Sequence, residues 1–197
     1  MKYLCILFLL FSSHSYSSII GVSSYPLHRN AQIISAEMTG FMGIEREIGM
    51  GVRYLQKLNS IQTIDIAASG GQQERAWQVG AGLDFKVLSE EGHLPRLSVK
   101  PYWQSQRIGT EKFVTTAIAP TVSKGFVVQG YEFYPFVSIP SGIRTISSTN
   151  QFTYLAAANF GAVLPVPQER LLLSFEANRN FGASTDYLTL LVSWLWN

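Results

Sequence analysis

Hydrophobic positions recur at every second residue along much of the chain, and the cleanest run lies between Ala76 and Val87. There Trp77, Val79, Ala81, Leu83, Phe85 and Val87 alternate with Gln78, Gly80, Gly82, Asp84 and Lys86. Successive side chains of a strand point to opposite faces, whereas at 100° per residue the same apolar positions would scatter around a helix. The run therefore predicts a strand with one apolar face. The last stretch repeats the pattern: Leu188, Leu190, Val192, Trp194 and Trp196 share one face, and Tyr187, Thr189, Leu191, Ser193, Leu195 and Asn197 share the other. About ten such strands are predicted, over 31–42, 48–57, 61–68, 76–87, 97–104, 113–123, 126–139, 152–164, 171–180 and 187–197, or eight if shorter segments dissolve into loops. Pro101, Pro120 and Pro135 fall inside three of them, where each removes a ladder donor and marks a bulge or a break.

The connections alternate in character. Short turns at 58–60, 89–92 and 124–125 fall at one end, and longer polar connections at 69–73, 106–112, 140–151 and 182–186 at the other. An exposed apolar strand is an aggregation hazard in water, but in a membrane barrel each strand is paired on both sides and its greasy face meets lipid. Leu188, Leu190, Val192, Trp194 and Trp196 resemble the final-strand assembly signal of small bacterial outer-membrane β-barrel proteins, with the aromatic residue penultimate and Asn197 after it. The resemblance implies an all-β fold: a single antiparallel up-and-down transmembrane β-barrel of about 8–10 strands spanning 18–197, porin-like in build. It also implies contact with outer-membrane lipid, and engagement of the barrel-assembly machinery through the C-terminal strand. Trp77, Phe85, Trp103, Trp194 and Trp196 are expected at the membrane interfaces.

Composition agrees. Charged residues are only 14% of the chain, against about 25% in soluble globular proteins. The net charge is +2, falling to +1 without Lys2, so nothing attracts nucleic acid. Lys2, the apolar run over 3–11 and the small polar residues over 12–18 read as a secretory leader covering 1–17, with Ser15-Tyr16-Ser17 as a small-x-small cleavage site. That apolar run falls short of the roughly 20 residues a membrane-spanning helix needs. Cys5 lies inside it, so the processed chain would carry no cysteine, excluding disulfides and thiol catalysis.

Candidate chemistry lies opposite the apolar stripes, where Glu37, Arg53, Asp65, Asp84, Lys100, Glu132 and Glu176 recur. A Lys or Arg facing lipid near mid-bilayer costs about 2–4 kcal/mol. These residues are expected to face the lumen, and in a narrow barrel to pack there as a hydrogen-bonded charge network. A catalytic pair such as Asp84 with Glu132 is the alternative reading. His28 and His93, the histidines outside the leader, fall at the end that holds the termini, without Ser or Asp at a motif spacing. No carboxylate cluster stands at ligand spacing, so neither a metal, a cofactor nor a catalytic residue is expected. The reading is a non-enzymatic outer-membrane barrel with a structural or surface-interaction role and an unspecified surface partner. Its alternatives are an outer-membrane lipid-modifying enzyme, and a soluble periplasmic β-barrel binding an apolar ligand inside. The last requires the apolar stripes to point inward and the charges outward.

Overall fold

A computed structural model describes residues 24–42, 48–71, 77–108, 110–181 and 186–196. The leader over 1–17, the start of the lead-in, most of the predicted loops at 69–73 and 182–186, and Asn197 lie outside the described residues. The strands are β1 (Gln32–Met42), β2 (Ile48–Lys57), β3 (Gln62–Gly70), β4 (Trp77–Leu88), β5 (Arg96–Ile108), β6 (Glu111–Ser123), β7 (Phe126–Val128), β8 (Tyr131–Ser138), β9 (Ser141–Ile146), β10 (Gln151–Pro165), β11 (Leu171–Asn180) and β12 (Asp186–Trp196).

Each long strand pairs antiparallel with its neighbours in sequence, and β1 pairs with β12 from Gln32 opposite Trp196 to Met42 opposite Asp186. That pairing closes the sheet. Between β6 and β10 lie both β8 and β9, and they keep one register: Ser138 stands opposite Thr121 and Ser141 opposite Ile118, with Ser138 and Ser141 likewise opposite Asn159 and Ala156. They are one staggered stave interrupted at Pro140, which has no N–H to give the ladder. Counting them once, and leaving out the short β7, gives a closed antiparallel up-and-down barrel of ten staves. Ten agrees with the sequence pattern; the eight-strand option does not hold.

Two expected segments differ. The stretch 126–139 is not a single strand: β7 and β8 form a hairpin with its turn at Gln129 (φ 52) and Gly130 (φ 84). Two consecutive positive φ values make a tight hairpin turn whose twist suits the strands. The longest expected loop, 140–151, is largely β9, paired on both sides. Likewise β5 and β6 run to Ile108 and from Glu111, absorbing most of 106–112. At 106–112 and 140–151, where the described residues test it, the expected long connection is therefore reduced, since strand pairing takes up much of both stretches.

The polarity is that of a transmembrane barrel. Outward positions include Ile34, Val52, Ile66, Trp77, Ile118, Phe160, Phe175, Leu190, Val192 and Trp194, all exposed. Inward positions include Glu37, Arg53, Asp65, Asp84, Lys100 and Glu176, all buried. A soluble barrel with an apolar interior and a charged exterior is excluded by this arrangement. Pro120 and Pro135 still accept: Ile139 N–H donates to Pro120 O at 3.1 Å and Lys124 N–H to Pro135 O at 3.2 Å.

The end of the barrel near the chain termini is filled by Ile33, Leu55, Phe136, Val163, Leu172 and Leu191, with Tyr25, Leu27, Tyr134 and Leu195 packed against them. Phe136 enters because its neighbour across the ladder is Gly161: a Cβ there would stand 2.5 Å from Phe136 Cζ. Gly161→Ala is expected to lower stability by about 1–3 kcal/mol through overpacking. Its unfolding midpoint in denaturant checks this, and Phe136→Leu in the same chain should restore part of the loss; a wild-type midpoint for the single variant contradicts it.

Candidate functional site

The residues that could act chemically are gathered in the lumen, and alternation alone puts them there. Arg53 on β2 lies between its strand neighbours' carboxylates, with Nε 3.5 Å from Glu37 Oε2 on β1 and 3.7 Å from Asp65 Oδ1 on β3. Asp65 Oδ2 accepts from Lys100 Nζ at 2.6 Å. Lys100 is on β5, two strands away, and reaches across β4 where Gly82 has no side chain; a Cβ on Gly82 would come 3.1 Å from Lys100 Cδ. Gly51 admits Glu37 in the same way, since its Cβ would lie 3.0 Å from Glu37 Oε1.

A second group stands nearer the termini. Asp84 Oδ1 lies 3.4 Å from Arg96 Nη2, and Ser98 Oγ donates to Asp84 Oδ2 at 3.1 Å. The other arm of Arg96 donates to the carbonyls of Tyr25 at 3.1 Å and Ser24 at 3.4 Å, holding the lead-in across the mouth. The Tyr25 ring meets Tyr134 edge-on at 5.1 Å. Burial first, and the Glu132 carboxylate second, push the Tyr25 phenol above its usual 10.0, so this cap stays neutral at physiological pH. A third group links Asn178 to Asn159 and Asn159 Nδ2 to Glu176 Oε1 at 2.8 Å.

Of the expected lumen charges, Glu37, Arg53, Asp65 and Lys100 meet in one cluster, Asp84 joins Arg96, and Glu176 joins the asparagines. Glu132 does not belong with them. It is exposed on the β7–β8 hairpin beyond the barrel wall, where it accepts from the Tyr134 hydroxyl at 2.9 Å. Its strand parity points inward, but the hairpin leaves the ladder with β10 after Tyr134, so there is no lumen at its level. An Asp84–Glu132 catalytic pair is therefore not formed.

The apolar plug described above escaped the sequence reading. Leu55, Leu172, Leu191 and Leu195 lie on the faces that carry polar residues elsewhere, and an inward leucine on each of β2, β11 and β12 was the signal for it. Of the expected interface aromatics, Trp77 is outward at the start of β4, and Trp194 and Trp196 are outward at the opposite end. Phe85 is outward and half-buried, and Trp103 is outward in mid-strand, four residues before Arg107. Further exposed aromatics at the strand ends are Tyr131, Phe152, Tyr154 and Phe181.

The lumen is filled by side chains at this level: those of Arg53 and Glu37 are 0% exposed. Fully buried acids (Glu37, Asp65, Asp84, Glu176) equal fully buried bases (Arg53, Lys57, Arg96, Lys100) in number among the described residues, and the half-buried Arg144 adds a further inward cation, its Nε donating to Thr115 Oγ1 at 3.4 Å. His28 in the lead-in and His93 in the β4–β5 turn are both exposed at the terminal end. Among the described residues no three His, Cys, Asp or Glu side chains group as metal ligands.

No family model matches the chain, and no curated protein matches it in sequence. Solved structures similar in outline include an outer membrane channel from Pseudomonas putida F1, 12% identical with a TM-score of 0.45, the match covering 91% of this chain and 100% of that one. Another is Ail, the attachment invasion locus protein of Yersinia pestis, solved with the heparin analogue sucrose octasulfate, 11% identical with a TM-score of 0.33, covering 86% of this chain and 100% of that one.

Proposed function

We propose that the chain is an integral protein of a bacterial outer membrane, delivered by the leader over 1–17, and that it works as a closed structural barrel rather than a pore or an enzyme. The observation that carries this reading is the inverted polarity of the wall, apolar and exposed outside, ionic and buried inside. In water such a surface would aggregate; in hydrocarbon it is the stable arrangement, because a closed barrel satisfies every backbone group internally. A chain delivered from the periplasm keeps both ends there, so the plugged end with the lead-in faces the periplasm and the ends of β5 and β10 at Ile108 and Gln151 lie toward the outside. Between β9 and β10 only 147–150 are left as loop for surface recognition.

Refolded into vesicles, the protein is expected to run as a compact band on an unheated gel and an extended one after boiling. It should release no entrapped small dye. Identical migration before and after boiling defeats the membrane reading, and rapid dye release defeats the closed lumen.

A further inference from the structure

Lumen charge balances in the middle of the barrel but not at the end that holds the chain termini. In the middle, Glu37 and Asp65 face Arg53 and Lys100. At the terminal end Lys57, Lys86 and Arg96 all take inward positions, and Asp84 is the buried acid among them. Lys57 on β2 stands opposite Thr63 on β3, and Thr63 opposite Asp84 on β4, so the three share one rung. Arg96 opens β5 beside Asp84, its Nη2 3.4 Å from Oδ1.

Two of these cations hold donors without acceptors. Lys57 is 6% exposed, yet its ammonium makes no hydrogen bond or ion pair with any described residue. Arg96 is equally buried; its Nη1 donates to the Ser24 and Tyr25 carbonyls and its Nη2 to Asp84, while its Nε is left unpaired. Of the charges that act on Lys57, those of Arg96 and Lys86 repel it and that of Asp84 attracts it, but Asp84 already holds Arg96 and Ser98. The strap that closes this mouth supplies no further carboxylate, since 18–31 contains no acidic residue. Glu90 in the β4–β5 turn acts on Arg96, but it is exposed and accepts from Gly125 N–H at 2.9 Å. Buried charges are stable when paired, and here the fold provides one buried acid for three cations.

We infer that Lys57, Lys86 and Arg96 bind a small tetrahedral oxyanion of the phosphate class inside the terminal mouth of the barrel. Lys57 supplies the donors of a compact charge on a flexible stem, Arg96 the N–H left to it, and the half-buried Lys86 the side of entry. With its fork already engaged, Arg96 cannot clamp a planar carboxylate through two parallel bonds, so the site suits an anion whose oxygens meet separate donors. The strap lies over it, fastened to Arg96 and, through Ala31 O at 2.9 Å, to the Lys57 N–H. Enclosed in this way, the site takes a free anion rather than a lipid headgroup. It belongs to the lumen, so it goes beyond the membrane reading and does not depend on it.

The test is equilibrium dialysis of the full chain, refolded in detergent, against labelled inorganic phosphate, with sodium chloride holding the ionic strength constant. One phosphate per chain is expected, with a higher urea midpoint in phosphate than in chloride. Lys57→Met should weaken binding at least about tenfold. Without phosphate its midpoint should equal or exceed that of the wild type, because an unpaired buried cation is gone. Lys124→Met is the control: that ammonium is exposed, donates to Gly92 O at 3.0 Å, and should not affect binding. No bound phosphate, undiminished binding by Lys57→Met, or an equal loss in Lys124→Met overturns the inference. So does a Lys57→Met chain much less stable than the wild type without phosphate, since Lys57 then has its partner within the fold. Compact migration on an unheated gel shows that each sample is folded, and a folded chain that binds no phosphate defeats this inference while leaving the membrane reading intact.

Discussion

Replacing Arg53 with methionine should destabilise the barrel by about 3–5 kcal/mol, because removing one partner leaves a buried charge uncompensated. The guanidinium lies between Glu37 and Asp65, and neither carboxylate side chain meets solvent. The two losses are unequal. Asp65 keeps Lys100 at 2.6 Å, whereas Arg53 is the cation beside Glu37. Glu37→Gln in the Arg53→Met background is therefore expected to recover most of the loss, since the remaining amide carries no charge to bury. The urea midpoint of the compact band reports both effects. A single variant as stable as the wild type would mean that water or another group reaches Glu37, contrary to a sealed lumen.

Ile66→Arg should cost about 2–4 kcal/mol in a bilayer. Ile66 is outward in the middle of β3 and 50% exposed. In a water-soluble protein an arginine at a half-exposed position is close to neutral, so the sign and size of the effect report what the outer wall touches. Gln62→Arg on the same strand and the same face is the control. It lies at the strand's end, where a lipid-facing arginine costs only about 0–1 kcal/mol. Unfolding in lipid vesicles measures the pair, and two equal and small effects would show that no hydrocarbon borders β3.

The sequence pattern placed β2 and β11 to the residue, at 48–57 and 171–180, and β4 and β12 to within one; the contrast is sharpest in β4, where an apolar residue at every outward position alternates with Gln78, Gly80, Gly82, Asp84 and Lys86. β9 was missed because Ser141 and Thr145 on its outward face and Ile146 on its inward face blur that contrast, and Pro140 before it reads as a loop. Pro101, Pro120 and Pro135 looked like obstacles to closure, yet each points outward, and Pro120 and Pro135 still accept through their carbonyls. The inward direction of Glu37, Arg53, Asp65, Asp84, Lys100 and Glu176 was legible because hydrocarbon tolerates no alternative. Which of them meet was not, since that depends on the stagger between strands and on Gly51 and Gly82 letting long side chains across. Glu132 shows the limit of parity: it has the right phase but sits on a hairpin that has left the wall.

The seam between β1 and β12 joins the earliest strand of the barrel to the latest, and Ser35 with Ser193 and Thr39 with Thr189 lock it from within at 2.7 and 2.9 Å. No ring can exist until translation has delivered both edges. A polypeptide cut short inside β12 would leave the N–H and C=O groups of β1 without partners in hydrocarbon. Completeness of the message through β12 is thus checked by geometry.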